Sequence, residues 1–298
     1  MRQGEKLLQK LWNASKLVDS LADTDPAEPE EFAAMDEWLL ASIDDVTETV
    51  TEYFEAHEYA KARDELRAFF WHTFCDDYLE IAKQSDADSA PYTLRVAHRR
   101  FLKLFAPFVP HVTEELHTTL YGDDSVHTLA WPESEGYESN RAAGETALEV
   151  ISALRGYKTD NGLALNATLD DVAVYGDIEG FENAISGVMH VESLERLGVT
   201  RIFGYPGGRV IELFDEAPAL STEVAGIDLD YSKVGPEFGS KVGDIDAAIE
   251  AGEYAISNDQ LHVADEVLGP DLFEVEEERT FAGEGEFIET ENAVVIVR

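Results

Sequence analysis

A chain of 298 residues, 44% of them hydrophobic, has material for two domains with ordinary cores and is not an acidic disordered tail. Sixty-two acidic residues against 22 basic ones give a formal net charge of −40. That balance fits a salt-adapted protein, because the Debye length falls to about 3 Å at 1 M salt and self-repulsion is screened. No apolar run approaches the roughly 20 residues that span a bilayer. The N-terminus lacks a signal-peptide core, and the single cysteine, Cys75, excludes an internal disulfide. These features predict a soluble, cytoplasmic protein with no membrane partner.

The first half reads as helices. From Gln3 to Leu21, Leu7, Leu11, Ala14 and Val18 recur at helical spacing, with Leu8 and Trp12 widening the stripe. At 100° per residue, Arg2, Lys6, Gln9, Lys10, Asn13 and Lys16 share an arc of about 120°. Trp12 stands at the edge of the apolar arc, as core or as an exposed platform. After an Asp, Ala and Pro-rich loop, a long helix is expected from Glu30 to Glu55. Another is expected from Tyr59 to Gln84, with Leu66, Phe70, Phe74, Tyr78 and Ile81 on its core face. The fourth begins near Pro91 and runs toward Leu120, kinked or broken where Pro107 and Pro110 remove backbone donors. Short connections make an antiparallel bundle the expected arrangement.

From Gly122 to Gly136 the pattern turns irregular, and the domain boundary is expected there, dividing the chain into 1–136 and 137–298. A helix from Arg141 to Lys158 is expected to link the two. Beyond it, β-rich runs (Asp171 to Tyr175, Val188 to Leu194, Glu223 to Leu229, Ala293 to Val297) alternate with a helix from Pro236 to Ala251. The second part thus reads as a small α+β domain.

Acidity argues at first against a nucleic-acid partner, since phosphate binding needs a basic surface. Two windows break the rule. Between Ser89 and Thr113 there is no acidic residue, although composition would place roughly five there; the window holds Arg95, Arg99, Arg100, Lys103, His98 and His111. The first eighteen residues carry Arg2, Lys6, Lys10 and Lys16 against Glu5 alone. The competing readings are a solvated helix face, ion pairing with acidic helices, and an acidic scaffold that binds a basic protein.

Particular residues add a resemblance. Glu5 through Lys16 (EKLLQKLWNASK) resembles the helix that opens the anticodon-binding domain of valyl-tRNA synthetases, which are class I aminoacyl-tRNA synthetases. Phe70 through Glu80 (FWHTFCDDYLE) resembles the third-helix signature of that domain. Leu104 through Leu116 (LFAPFVPHVTEEL) resembles its proline-containing segment, shared by the valyl, isoleucyl and leucyl enzymes. Arg155-Gly156-Tyr157-Lys158 with Gly162 to Asn166, and later Val234 to Gly239, resemble the C-terminal region of the archaeal-type enzymes. With the acidity, the pattern suggests a haloarchaeal source.

The resemblance implies a mainly α fold, a class I anticodon-binding bundle followed by a small α+β domain. It implies recognition of the anticodon arm of valine tRNA, with no DNA partner. Contacts are expected from Arg2, Lys6, Gln9, Lys10, Asn13 and Lys16, from Arg95, Arg99, Arg100 and Lys103, and from Arg155 and Lys158, which alternatively cap the linker helix. In the family, ATP and valine react with magnesium in a nucleotide-binding body placed before this segment, using His-x-Gly-His and Lys-Met-Ser-Lys-Ser type motifs that these residues do not contain. The expectation is a chain without catalytic residues, cofactor or metal, inactive in aminoacylation alone and partnered by that catalytic body.

Three local features are read as structural. His111 and His117, six residues apart, fall about 240° apart on a helix and do not match the i, i+4 spacing of a zinc site. Lys233 and Lys241 bracket a turn and a helix start, Val234 to Gly239. Cys75 belongs to the core. Leu197 through Val210 departs from the valyl pattern and resembles the opening strand and turn of thiamine-diphosphate enzymes. The downstream segments of that family are missing, so a divergent Pro-Gly-Gly hairpin is one reading of the stretch.

Overall fold

The computed structural model describes residues 2–122, 124–197, 201–203, 211–213, 220–257, 260–281 and 285–298; side chains at 1–3, 123, 198–225, 257–259 and 276–284 are outside the described set. The chain divides into a first unit, Met1–Arg196 with Ile288–Arg298, and a second, Leu197–Phe287.

The first unit opens with α1 (Arg2–Leu21) and α2 (Ala34–Glu55). A third helix follows in three pieces: α3 (Tyr59–Ala68), a π-helical segment (Phe69–Tyr78) and a last turn, α4 (Leu79–Ala82). Next come α5 (Ala90–Phe105) and α6 (Pro110–Tyr121), divided where Pro107 and Pro110 were expected to break the helix. Pro110 opens α6 at a position where its missing N–H costs nothing. The helical stripes meet in one core: Leu7, Leu11 and Val18 of α1, Leu39, Ile43 and Val50 of α2, and Phe70, Phe74, Phe101 and Phe105 are all buried there.

The helix α7 (Arg141–Asp160) enters the same core through Ala143, Ala147, Ile151 and Leu154. Its Gly144 lies so close to Trp38 of α2 that an added Cβ would sit 2.1 Å from the indole ring, so glycine permits this helix crossing. After α7 come β1 (Leu169–Tyr175), α8 (Glu182–Met189) and β2 (Val191–Leu197). They join β10 (Glu286–Glu289) and β11 (Val294–Val297) in a four-stranded sheet of order β10-β11-β1-β2. The buried C-terminal strand β11 pairs antiparallel with β1, Val172 opposite Val297 and Val174 opposite Val295.

The division therefore falls at 196, not at 136. The Arg141 helix is part of the first unit's core, because its small residues pack on α2 and its sheet is completed by the last strand of the chain. The run from Val188 to Leu194 is likewise not one strand. His190 closes α8 in the left-handed conformation, φ 53°, and the strand starts at the next residue.

In the second unit, β3 (Arg201–Phe203) pairs antiparallel with β4 (Ile211–Leu213); the Pro-Gly-Gly turn and 214–219 lie outside the described residues. The long strand β5 (Leu220–Leu229) pairs antiparallel with β9 (Phe273–Phe281) and bulges between Val224 and Gly226. The expected helix from Pro236 is two, α9 (Tyr231–Phe238) and α10 (Val242–Glu250), because Gly239 at φ 55° ends the first. Strands β6 (Tyr254–Ser257), β7 (Gln260–Val263) and β8 (Glu266–Leu268) form a meander. Leu229, Val234, Ile245, Leu261, Val263, Leu268 and Phe273 make this unit's own core. A mainly helical bundle followed by a small α+β part is the architecture observed.

Candidate nucleic-acid interface

The orientation of α1 is set by its contacts with α5. Ser15 Oγ donates to the Leu11 carbonyl at 2.7 Å and lies 2.8 Å from His98 Nε2; His98 Nδ1 lies 2.7 Å from the Tyr121 hydroxyl. A neutral ring satisfies this chain, Nε2 donating to Ser15 and Nδ1 accepting from Tyr121. Burial first, then the Arg95 charge, pushes the His98 pKa down to about 3. The imidazole thus serves as a fixed strut and not as a proton switch near neutrality.

With Leu7, Leu11, Ala14, Ser15 and Val18 turned inward, α1 leaves Lys6, Gln9, Asn13 and Lys16 exposed and Lys10 half-buried on the opposite arc. Arg2 lies outside the residues whose side chains are described. Trp12 is 40% exposed. Lys16 Nζ lies 5.8 Å from its ring centroid, within reach of a cation–π contact. At the other edge Lys10 Nζ lies 4.6 Å from the ring centroid of Trp71 and 2.5 Å from Asp76 Oδ1. The amide side chains Gln9 and Asn13 therefore occupy an arc bounded by two tryptophans, each carrying a lysine.

The α5 set divides. Arg99 is exposed, its guanidinium 5.7 Å from the Tyr121 ring centroid, and Lys103 is half-buried. Burial, then Arg99 and Arg100, hold the Lys103 pKa below its ordinary value. Among the described residues Lys6, Lys16, Arg99 and Lys103 have no carboxylate partner; apart from them, only Arg67 and Lys158 share that condition. In a molecule of net charge −40, four cations without a carboxylate partner stand on two helices that pack together.

Four of the expected contact residues have partners within the fold. Arg95 is buried and caps the end of α1, donating to the carbonyls of Ala22 (2.7 Å) and Asp23 (2.8 Å) and to Asp19 (2.9 Å). A cation there complements the helix dipole. Arg100 is buried against Asp44 and reaches Glu135 at 2.8 Å. Arg155 bridges α7 to the π segment through Asp77 at 2.7 Å. Lys158 is fully buried, with its three donors on the carbonyls of Leu165, Ala167 and Met189. These four charges are spent inside the fold.

The structural readings of the histidines and the cysteine are supported by their surroundings. His117 is buried with Nδ1 3.1 Å from the Asp124 carbonyl. Cys75 is buried, and burial pushes its thiol up to about 12. Lys233 and Lys241 pair with Asp230 and Glu266. Among the described residues no group of three or more His, Cys, Asp or Glu is placed to hold a metal ion, and no helix is long and apolar enough to cross a membrane. Sequence reasoning missed Trp71. Its signal was its place beside, and not on, the Phe70, Phe74, Tyr78 core stripe.

Residues 36–174 match the family model described as the anticodon-binding domain of tRNA ligase. Helix α1 precedes that match but shares its core. The chain is 57% identical, over its whole length, to a valine–tRNA ligase of Haloarcula marismortui and covers 32% of that protein. It is 30% identical to the valine–tRNA ligase of Natronomonas pharaonis over 97% of this chain and 34% of that one. To the enzyme of the same name from Thermococcus kodakarensis it is 32% identical over 82% of this chain and 28% of that one. The chain thus spans about a third of the length of the curated relatives it matches.

Proposed function

The chain belongs to the tRNA ligases that carry this anticodon-binding domain, and from that membership we propose that it grips the anticodon arm of valine tRNA as part of a valine–tRNA ligase. The α1 face carries this reading: exposed Lys6, Gln9, Asn13 and Lys16, edged by Trp12 and by Trp71. An anticodon loop offers unstacked bases with free edges, which amide side chains can hydrogen-bond and aromatic rings can stack. Lys6 and Lys16 meet phosphates as point charges, and Arg99 and Lys103 extend the positive surface along α5.

The acidic remainder keeps the molecule soluble at high salt and offers RNA no phosphate partners on other faces. In strong salt, phosphate contacts lose most of their worth through counterion effects, so stacking and base-edge hydrogen bonds must supply much of the affinity. On this reading ATP, magnesium and valine are handled by the body of the ligase, the partner of this part, and the protein works in the cytoplasm. The test is a binding comparison at molar potassium chloride between valine tRNA and tRNAs of other amino acids. Tighter binding of valine tRNA is expected. Equal binding, or none, favours an acidic scaffold for a basic protein.

A further inference from the structure

Trp71 is a surface tryptophan in an aromatic-rich segment. Its neighbours Phe70 and Phe74 are fully buried and belong to the core, as does Trp38, whereas Trp71 is half-buried and stands outside that cluster. Its ring is covered by Lys10. The same ammonium is held by Asp76, whose other oxygen lies 3.4 Å from His72 Nδ1. Lys10 touches two residues five apart in sequence. An α-helix would separate them by about 140°. The π-helical segment Phe69–Tyr78, hydrogen-bonded at i→i+5, brings them toward one face.

We propose that Trp71 is a stacking platform for one unpaired nucleobase, that Lys10 covers it in the RNA-free protein, and that Asp76 is the positioning residue that holds Lys10 there. The proposal rests on the RNA-binding reading above and names one base site within it. An arriving base displaces the ammonium from the ring, and Lys10 turns to the phosphate of the same nucleotide. Asp76 is 43% exposed on its side chain and beside His72, so it returns to solvent without being stranded. A partly exposed ion pair and a partly exposed cation–π contact are each worth roughly five-fold in an equilibrium. Stacking is worth about 5- to 150-fold per base, and Lys10 regains an anionic partner in the phosphate, so the two contacts given up are offset in the bound state. Until then Asp76 acts as a competitor of phosphate.

The experiment is a fluorescence titration of the 298-residue chain with an RNA hairpin carrying the valine anticodon loop and 2-aminopurine at single loop positions. Trp71→Leu is expected to weaken binding about 5- to 150-fold and to abolish quenching at one position, and Trp71→Phe to retain part of both. Asp76→Asn is expected to tighten binding about three-fold, and to give no gain when combined with Trp71→Leu. A merely structural Asp76 would weaken binding when changed. Hairpin binding that is unaltered by Trp71→Leu in a protein of unchanged circular dichroism overturns the proposal and leaves the tRNA reading standing. Weaker binding by Asp76→Asn also overturns it. Absence of hairpin binding by the unaltered chain overturns both.

Discussion

The ammonium of Lys158 lies 2.6 Å from the carbonyl oxygen of Met189, tying the last turn of α7 to the end of α8. The other two donors go to Leu165 and Ala167 at 2.9 and 2.7 Å, so one charge joins the Gly162–Ala167 turn, which has its own backbone hydrogen bonds, to α8. Lys158→Met keeps the apolar stem and strands three carbonyls. It is expected to destabilise the first unit by about 3 kcal/mol. Urea unfolding reads the loss, while binding of valine tRNA well below the unfolding transition stays within two-fold of the unaltered protein.

Asp44 and Asp36 should respond to pH with opposite signs. Burial alone would raise the Asp44 pKa, but the N–H groups of Glu135 and Tyr137 and the Arg100 guanidinium outweigh it and hold the carboxyl below its ordinary value of 3.8. A depressed folded pKa contributes stability that is present above the unfolded value and lost as pH falls through the folded one. Asp36 is the reverse. Its burial outweighs the hydrogen bonds from Ser89 and Tyr78 and raises its pKa, so its contribution is present below 3.8 and lost as pH rises through the folded value. Asp44→Asn is therefore expected to cost about 3 kcal/mol at pH 7, leaving Arg100 buried without its anion, and to flatten the fall in urea midpoint between pH 5 and pH 3. Asp36→Asn should cost less than about 1 kcal/mol at pH 7.

Adjacent arginines on α5 should separate binding from folding. Arg99 is exposed and has no carboxylate partner among the described residues, whereas Arg100 is buried on Asp44. Arg99→Ala should leave the unfolding midpoint within about 0.5 kcal/mol and reduce the slope of log K against log salt by about 1. Arg100→Met should shift the midpoint by several kcal/mol (roughly 3) with little effect on that slope. Titrations of valine tRNA across 0.2–2 M salt (roughly, to span the screened regime) distinguish the two.

Much of this was legible beforehand. The apolar stripes of α1 and of the third helix, the proline break before α6 and the C-terminal strand all follow from period and turn chemistry. What pattern could not give is which cations are consumed internally. Arg95, Arg99 and Lys103 share one helical arc in sequence, yet Arg95 meets the end of α1 and is buried, because a residue 72 positions away supplies the carbonyl. Nor could pattern show that β1 finds its partner in β11 at the far end of the chain, which carries the first compact unit to Arg196. Trp71 stands beside the core stripe in the sequence, but its meeting with Lys10 beside Asp76 depends on the π register, which no hydrophobic periodicity announces.

The β7–β8 hairpin of the second unit carries two non-glycine residues in the left-handed region, Ala264 at φ 50° and Asp265 at φ 61°. A two-residue turn of this kind requires positive φ at both, and alanine there costs roughly 1 kcal/mol. Ala264→Gly is expected to stabilise the hairpin by about that amount, less glycine's own entropy. Slower amide hydrogen exchange at Val263 and Leu268 would show it, and faster exchange would count against the turn assignment.

The central claim, that the α1 face between Trp12 and Trp71 holds an anticodon loop, is met most directly by cross-linking. Valine tRNA bearing 4-thiouridine in the anticodon loop is irradiated with the chain, and the adducts are mapped by mass spectrometry. The account predicts adducts on peptides spanning residues 6–16 and on the peptide containing Trp71, absent when the thiouridine sits in the acceptor stem. Adducts confined to other surfaces, or identical from both labelled positions, would contradict it.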